Sequence, residues 1–173
     1  MDLRAARENE FEAVRAFYWA LIDEMQGRTD TVGWKKGVYP TDRFLRESIA
    51  RGELFVLDGA SGYDACTVLN SASNEGYEGV SWGTDCPEEA VLVPHALGVR
   101  PAVQGQGIGR RTVGDILALA RSLGKKTVRL DILKGNTAAE HLYTGMGFRF
   151  VREQCMYYPD TGMTAFLLYE YIL

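Results

Sequence analysis

The residues best able to do chemistry sit in one short run, Gln104-Gly105-Gln106-Gly107-Ile108-Gly109-Arg110-Arg111. It follows an apolar stretch, Leu97-Gly98-Val99-Arg100-Pro101, and leads into a helical pattern. Alternating glycines let the main chain take conformations closed to other residues and let a ligand come close to it. The first N–H groups of a helix have no partner within it, and with the helix dipole they attract an anion. Arg110 and Arg111 add positive charge. The run predicts a cradle for a phosphate or diphosphate, although a turn of this composition can also be only a tight turn. Spacing excludes two familiar cradles. A P-loop needs GxxxxGK followed by Ser or Thr, which no stretch provides, and a dinucleotide fingerprint needs GxGxxG. Counted from Gly105 the third glycine falls on Arg110, and counted from Gly107 it falls on Thr112.

A second group follows in the order Asn136-x-x-Ala139-x-x-Leu142-Tyr143-x-x-x-Gly147-Phe148. Asn136 is a residue type that caps helices through its side-chain oxygen. Tyr143 shares the inner side of that helix with Leu142 and Met146, so by itself it reads as a core tyrosine or as a phenol able to give a proton.

Together, Gln104-x-x-Gly107-x-Gly109 after Leu97-Gly98-Val99-x-Pro101, and the Asn136 to Phe148 segment, resemble the two conserved segments of the GNAT superfamily of N-acyltransferases. The strong match covers about residues 91–151, and the rest agrees in outline only. The resemblance implies a GNAT-like acyl-CoA N-acyltransferase fold, with acetyl-CoA as cosubstrate and no metal. It implies that main-chain amides of Gln104, Gly105, Gln106, Gly107, Ile108, Gly109 and Arg110 bind the coenzyme's diphosphate. Leu97 and Val99 would hydrogen-bond the pantetheine arm, which would lie like an extra strand in a gap beside the preceding strand. Gly98 suits a bulge that opens such a gap, and an N–H near Val99 could polarise the thioester carbonyl. Asn136 would hydrogen-bond pantetheine, as well as or instead of capping its helix, with Ala139 beside it. Tyr143 matches the family's general acid, which hydrogen-bonds or protonates the departing thiolate.

The acceptor implied is a primary amine on a small molecule or peptide, and it must attack as the neutral base. A lysine-like amine has a pKa of about 10.4, so something must take its proton. His95 has a suitable side chain. On a regular strand it would share a face with Leu97 and Val99; it can also be structural, and members of this superfamily also use a glutamate or waters. Glu88 and Glu89 precede the same strand, and His141 reads as a surface residue. Trp34, Tyr39, Tyr77 and Trp82 lie in long loops, where they could wall the acceptor side or staple the loops to the core. Other readings stay open: a longer acyl-CoA, a hydroxyl acceptor, or a non-catalytic CoA-binding sensor or interaction domain.

The elements that must hold these residues follow from periodicity. Leu3 to Ala5 reads as a short strand. Phe11, Val14, Tyr18, Leu21, Ile22 and Met25 recur at helical spacing and Gly27 can end that helix. Residues 28–40 read as a loop, and Thr41 as the cap of a second helix carrying Phe44, Leu45 and Ile49. Leu54 to Leu57 and Tyr63 to Asn70 form a hairpin, a long connection spans 71–89, and Ala90 to Val99 is a strand. A helix to Leu123, a strand about Val128 to Ile132 whose alternate residues Arg129 and Asp131 make one face more polar, a short helix from Asn136, and strands Phe148 to Val151 and Thr164 to Ile172 complete the order. Strand–helix–strand in the second half requires a parallel pair, and the hairpins require antiparallel ones. The fold class is thus α/β, a mixed sheet with helices on both faces, in a single domain over 1–173.

Composition narrows the class further. A chain of 173 residues with 46% hydrophobic and 24% charged residues is ordinary for one globular domain. No apolar run approaches the roughly 18 to 20 residues of a spanning helix, and Met1-Asp2-Leu3-Arg4 has no leader pattern. Three scattered cysteines, Cys66, Cys86 and Cys155, argue against a disulfide framework or zinc site and for a cytoplasmic location. A formal net charge of −4 argues against nucleic acid as partner and suits a cationic acceptor. No membrane partner is expected, and the strand-rich C-terminus leaves a homodimer open.

Overall fold

The computed structural model describes residues 2–28 and 33–173, so part of the loop expected over 28–40, and Met1, lie outside the described residues. The elements are β1 (Arg4–Ala5), α1 (Phe11–Met25), α2 (Asp42–Ala50), β2 (Leu54–Gly59), β3 (Gly62–Asn70), β4 (Val91–Val99), α3 (Ile108–Ser122), β5 (Thr127–Leu133), α4 (Thr137–Gly145), β6 (Arg149–Tyr158) and β7 (Gly162–Ile172). The seven strands form one sheet in the order β1-β2-β3-β4-β5-β7-β6. Among the described residues only β4 and β5 run parallel, as the crossover through α3 requires. The expected mixed α/β architecture and element order hold. β6 runs on to Tyr158 because it pairs along β7 from Arg149↔Glu170 to Tyr158↔Gly162.

Each face of the sheet carries its own core. On one, Leu92, Leu97, Val99, Val128, Leu130 and Ile132 pack against the apolar stripe of α3 (Val113, Ile116, Leu117, Ala120) and against Tyr143 of α4. On the other, Val56, Cys66, Val68 and Ala96 meet the stripe of α1 and Leu45 and Ile49 of α2. The helix ends follow local chemistry. Thr41 Oγ1 accepts from the Phe44 N–H at 3.0 Å, as its residue type predicts.

The two middle strands part early. β4 and β5 pair only at Val91↔Thr127 and Leu92↔Val128. Beyond that rung β4 follows β3 instead, and its register slips: Val68 faces His95 while Cys66 faces Gly98. The extra residue is absorbed at Ala96, whose φ of 49° is left-handed, a conformation that non-glycine residues occupy at some cost. Two carbonyls displaced by this bulge find side-chain donors: Tyr18 OH gives to Ala96 O at 2.8 Å, and Thr67 Oγ1 gives to His95 O at 3.1 Å.

The bulge therefore lies at Ala96, not at Gly98. Glycine is needed at 98 for a different reason. A Cβ there would sit 2.6 Å from Leu21 Cδ2 and 3.2 Å from Phe17 Cε1, so its absence lets α1 lie directly on β4. The bulge also corrects the facing of His95. Ala96 and Gly98 face α1, Leu97 and Val99 face α3, and His95 stands opposite Val68 on the α1 side. His95 thus lies on the opposite face from Leu97 and Val99.

Candidate active site

The glycine run folds as its composition suggests. Pro101–Val103 makes one 3-10 turn, Gly105 and Gly107 take φ of 77° and 82°, and α3 begins at Ile108 with Gly107 as its cap. Among the described residues the main-chain N–H groups of Gly105, Gly107, Ile108, Gly109 and Arg110 have no main-chain or side-chain acceptor. The Gln104 and Gln106 amides are used instead, giving to Pro101 O at 3.1 Å and Val103 O at 3.4 Å. Residues 104–107 are exposed. The result is a solvent-facing row of donors at the positive end of a helix, which fits a diphosphate. Arg110 Nη2 gives to Gly145 O at 3.1 Å, tying this turn to the end of α4.

The split between β4 and β5 opens into a cavity of about 380 Å³. Leu97, Asn136, Ala139 and Tyr143 line it, as do His95 and Asp131. Trp34, Tyr39 and Tyr158 form an aromatic wall. Among the described residues β4 beyond Leu92 has no strand bonded to its β5 side, leaving an edge with which an extended ligand such as a pantetheine arm could pair. Asn136 Oδ1 accepts from Ala139 N at 3.1 Å, so the helix cap is real, and the residue also faces the cavity.

Tyr143 is 6% exposed. Among the described residues its hydroxyl has no hydrogen-bond partner. Burial, then the negative charge of Asp131, pushes its pKa above the ordinary phenol value, so it keeps its proton at neutral pH. Its ring meets Phe148 edge-on at 5.2 Å. A protonated phenol with an unused hydroxyl, lining this cavity, is placed to donate.

His95 Nε2 lies 3.0 Å from Asn70 Oδ1. Burial drives its pKa down to about 4, against smaller opposing effects of the Ala72 main chain and Glu53. The imidazole is accordingly neutral at pH 7 and carries a lone pair.

Asp131 is the functional candidate that the sequence reading left unassigned. Its Oδ1 accepts from Asn74 Nδ2 at 2.7 Å and Tyr77 OH at 2.8 Å, and its Oδ2 from Tyr158 OH at 3.2 Å. No cation among the described residues pairs with it, and burial raises its pKa in spite of those donors. Donors without a counter-ion leave a carboxylate able to attract an ammonium. The available signal was the alternation in β5, which puts a charged residue on a face that a central strand normally buries.

The remaining candidates lie apart from the cavity. Glu88 Oε1 accepts the Ser73 N–H at 2.9 Å, bracing the 71–89 connection. Glu89 and His141 are exposed. Of the four loop aromatics, Trp34 and Tyr39 line the cavity, Tyr77 holds Asp131, and Trp82 stacks under Arg129 at 4.6 Å. Arg129 in turn pairs with buried Glu170 at 3.0 Å, and Glu170 accepts the Gly83 N–H at 2.6 Å.

Comparison with known proteins agrees with this arrangement. The family model described as the acetyltransferase (GNAT) family matches residues 62–148, which hold the split strands, the donor row and Tyr143. The chain belongs to the acetyltransferase (GNAT) family. As a GNAT protein it is 38% identical over 94 residues to N-alpha-acetyltransferase RimI of Mycobacterium tuberculosis, covering 54% of this chain and 56% of that one. It is 35% identical over 74 residues to the uncharacterized protein ML0378 of Mycobacterium leprae, covering 43% of this chain and 20% of that one. The match thus spans about half or less of these relatives' length. Among solved structures, a GNAT-family acetyltransferase from Streptococcus agalactiae superposes with TM-score 0.78 at 18% identity, covering 99% of this chain and 94% of that one. The yncA protein of Salmonella typhimurium, solved with its cofactor acetyl-CoA, gives TM-score 0.70 at 19% identity, covering 99% and 92%. These two likenesses establish the fold. No helix among the described residues is long and apolar enough to cross a membrane.

Proposed function

We propose that this chain transfers the acetyl group of acetyl-CoA to a primary amine, with the two substrates approaching the split sheet from opposite faces. The observation that carries the reading is the pairing of the unused amides of Gly105 and of Gly107 to Arg110 with a β4 edge released from β5 just beyond Leu92. Bound acetyl-CoA supplies an activated thioester carbonyl. The main-chain amides of Gly105, Gly107, Ile108, Gly109 and Arg110 hold its diphosphate. Leu97 and Val99 offer main-chain partners to the pantetheine arm, and Asn136 and Ala139 flank it.

On the α1 side, Asp131 attracts the acceptor as an ammonium, and Trp34, Tyr39 and Tyr158 enclose its carbon chain. The His95 lone pair takes the proton that the nitrogen must lose before it attacks. The new C–N bond forms, the C–S bond breaks, Tyr143 gives its proton to the departing sulfur, and the proton still carried by the new amide nitrogen passes to the Tyr143 phenolate. Support for an α-amine of a peptide as acceptor comes from the likeness to N-alpha-acetyltransferase RimI. A cytoplasmic location accords with the three free cysteines.

Thermal denaturation with and without acetyl-CoA tests the donor half. At one hundred times the dissociation constant the stabilisation is about 2.7 kcal/mol. Release of free CoA thiol, followed across a panel of peptide N-termini and small amines, tests the transfer. No shift with acetyl-CoA beside a shift with NAD or ATP would reverse the assignment.

A further inference from the structure

His95 does not stand alone. Its Nε2 faces Asn70 Oδ1 at 3.0 Å, and Asn70 Nδ2 faces Glu53 Oε2 at 3.1 Å. A carboxylate only accepts, so the amide nitrogen of Asn70 must be the end that meets Glu53. The same orientation is demanded by the Ala72 N–H, which gives to Asn70 Oδ1 at 3.0 Å. Asn70 therefore presents an oxygen to the imidazole, and Nε2 must carry the hydrogen. The lone pair is left on Nδ1.

Glu53 is fixed in turn. Arg51 Nε gives to the same Oε2 at 3.0 Å, and the Glu53 carbonyl accepts the Leu69 N–H at 2.8 Å, locking the residue beside the end of β3. The line runs from outside to inside: Arg51, Glu53, Asn70, His95. Asn70 lies on the last residue of β3, two positions beyond Val68, the residue paired with His95. It thus holds the ring where the bulge at Ala96 would otherwise leave the strand free to twist.

We infer that Asn70, oriented by Glu53, is a positioning residue that sets the tautomer and direction of the His95 ring, so that Nδ1 is the proton-accepting nitrogen. The inference rests on the proposed role of His95 as proton acceptor. The carboxylate of Glu53 is neutralised by Arg51 on one side and separated from the ring by a neutral amide. Asp131 and Asp160, the other carboxyl groups lining this cavity, have no hydrogen bond to His95 among the described residues, and Tyr39 and Tyr158, which also line it, keep their protons because burial raises their pKa. An amide in the intermediate place holds the ring without adding a charge that would keep it protonated.

The test compares Asn70→Ala, Asn70→Asp and His95→Ala in the full chain. The Nε2 proton of His95 is followed by NMR, and the pH dependence of kcat/KM is measured with a peptide amine between pH 5 and 8. In the parent the Nε2 proton is protected by its hydrogen bond and visible; in Asn70→Ala it is lost to exchange, and kcat falls on the order of tenfold with acetyl-CoA affinity unchanged. Asn70→Asp keeps an acceptor but adds a negative charge, so it favours imidazolium and moves the acidic limb upward into the measured range. In a His95→Ala background Asn70→Ala costs nothing further. A loss of rate with His95→Ala, beside an unmoved Nε2 proton and unmoved limb in the Asn70 variants, overturns the positioning role alone. An unchanged rate and limb in His95→Ala overturns the assignment of His95 as proton acceptor, and the inference with it.

Discussion

His95 and Asp131 stand in the same register and on the same face of the sheet, each three residues beyond the Leu92–Val128 rung at which β4 and β5 part. Had the strands stayed paired, the two side chains would be neighbours. The bulge at Ala96 turns β4 away, and the neighbours become opposite walls of a cavity. One wall is a neutral base, and the other is a carboxylate with no cation of its own.

Removing the charge of Asp131 while keeping its shape should strike the acceptor and spare the donor. Asp131→Asn is expected to lower kcat/KM for amines by roughly ten- to a hundredfold, within the range for a group that manages a proton or its charge. Acetyl-CoA affinity, read by calorimetry, should not change. Equal losses on both substrates would mean that Asp131 matters only as the anchor of Asn74 and Tyr77.

Tyr143→Phe removes one oxygen that no other described group bonds. Turnover should fall about a hundredfold, with acetyl-CoA binding and melting temperature close to the parent's. Single-turnover kinetics, in which chemistry limits the rate, are the measurement to use. An unchanged rate there removes Tyr143 from proton donation.

Gly98→Ala is expected to destabilise by about 1 to 3 kcal/mol, because the added methyl meets Leu21 and Phe17 of α1. Denaturant unfolding measures it. Truncating Leu21 to Ala in the same chain should recover part of that loss, since the clash is with its Cδ2 atom.

Acid should weaken the fold through His95. Its folded pKa of about 4 lies below the unfolded value of 6.5, so the unfolded chain takes up the proton first. Stability is fully present above pH 6.5 and is lost as pH falls toward 4. Between pH 7 and 5 this amounts to about 2 kcal/mol. His95→Gln should show a shallower fall in melting temperature over that interval. Asp131 works in the opposite sense: its raised pKa means that protonation in acid relieves a buried charge, so Asp131→Asn should steepen the fall.

Much of this architecture was legible in residue order. The stripe Phe11, Val14, Tyr18, Leu21 reads as a helix face, and the spacing of Gln104, Gly107 and Gly109, taken with the Asn136 to Phe148 segment, points to free amides at a helix start. Less legible was anything that depends on strands slipping past one another. Alternation assigns His95 to the face of Leu97, and one extra residue in β4 reverses it. The bulge falls on an alanine, while the nearby glycine, the more obvious site for one, answers to packing by α1. Asp131 was hidden for a similar reason. A carboxylate on a strand is unremarkable until it is known that the strand is central, that the chain 71–89 folds over it, and that no cation comes with it.

The unused amides between Gly105 and Arg110 belong to the peptide backbone, and the proposed acceptor wall of Trp34, Tyr39 and Tyr158 belongs to side chains on the far side of the sheet. The two share no residue. Substrate preference can therefore drift by exchanging side chains on one surface without disturbing how the other surface holds its coenzyme. A library randomised at 34, 39 and 158 should yield catalysts that differ in what they modify while remaining alike in what they consume.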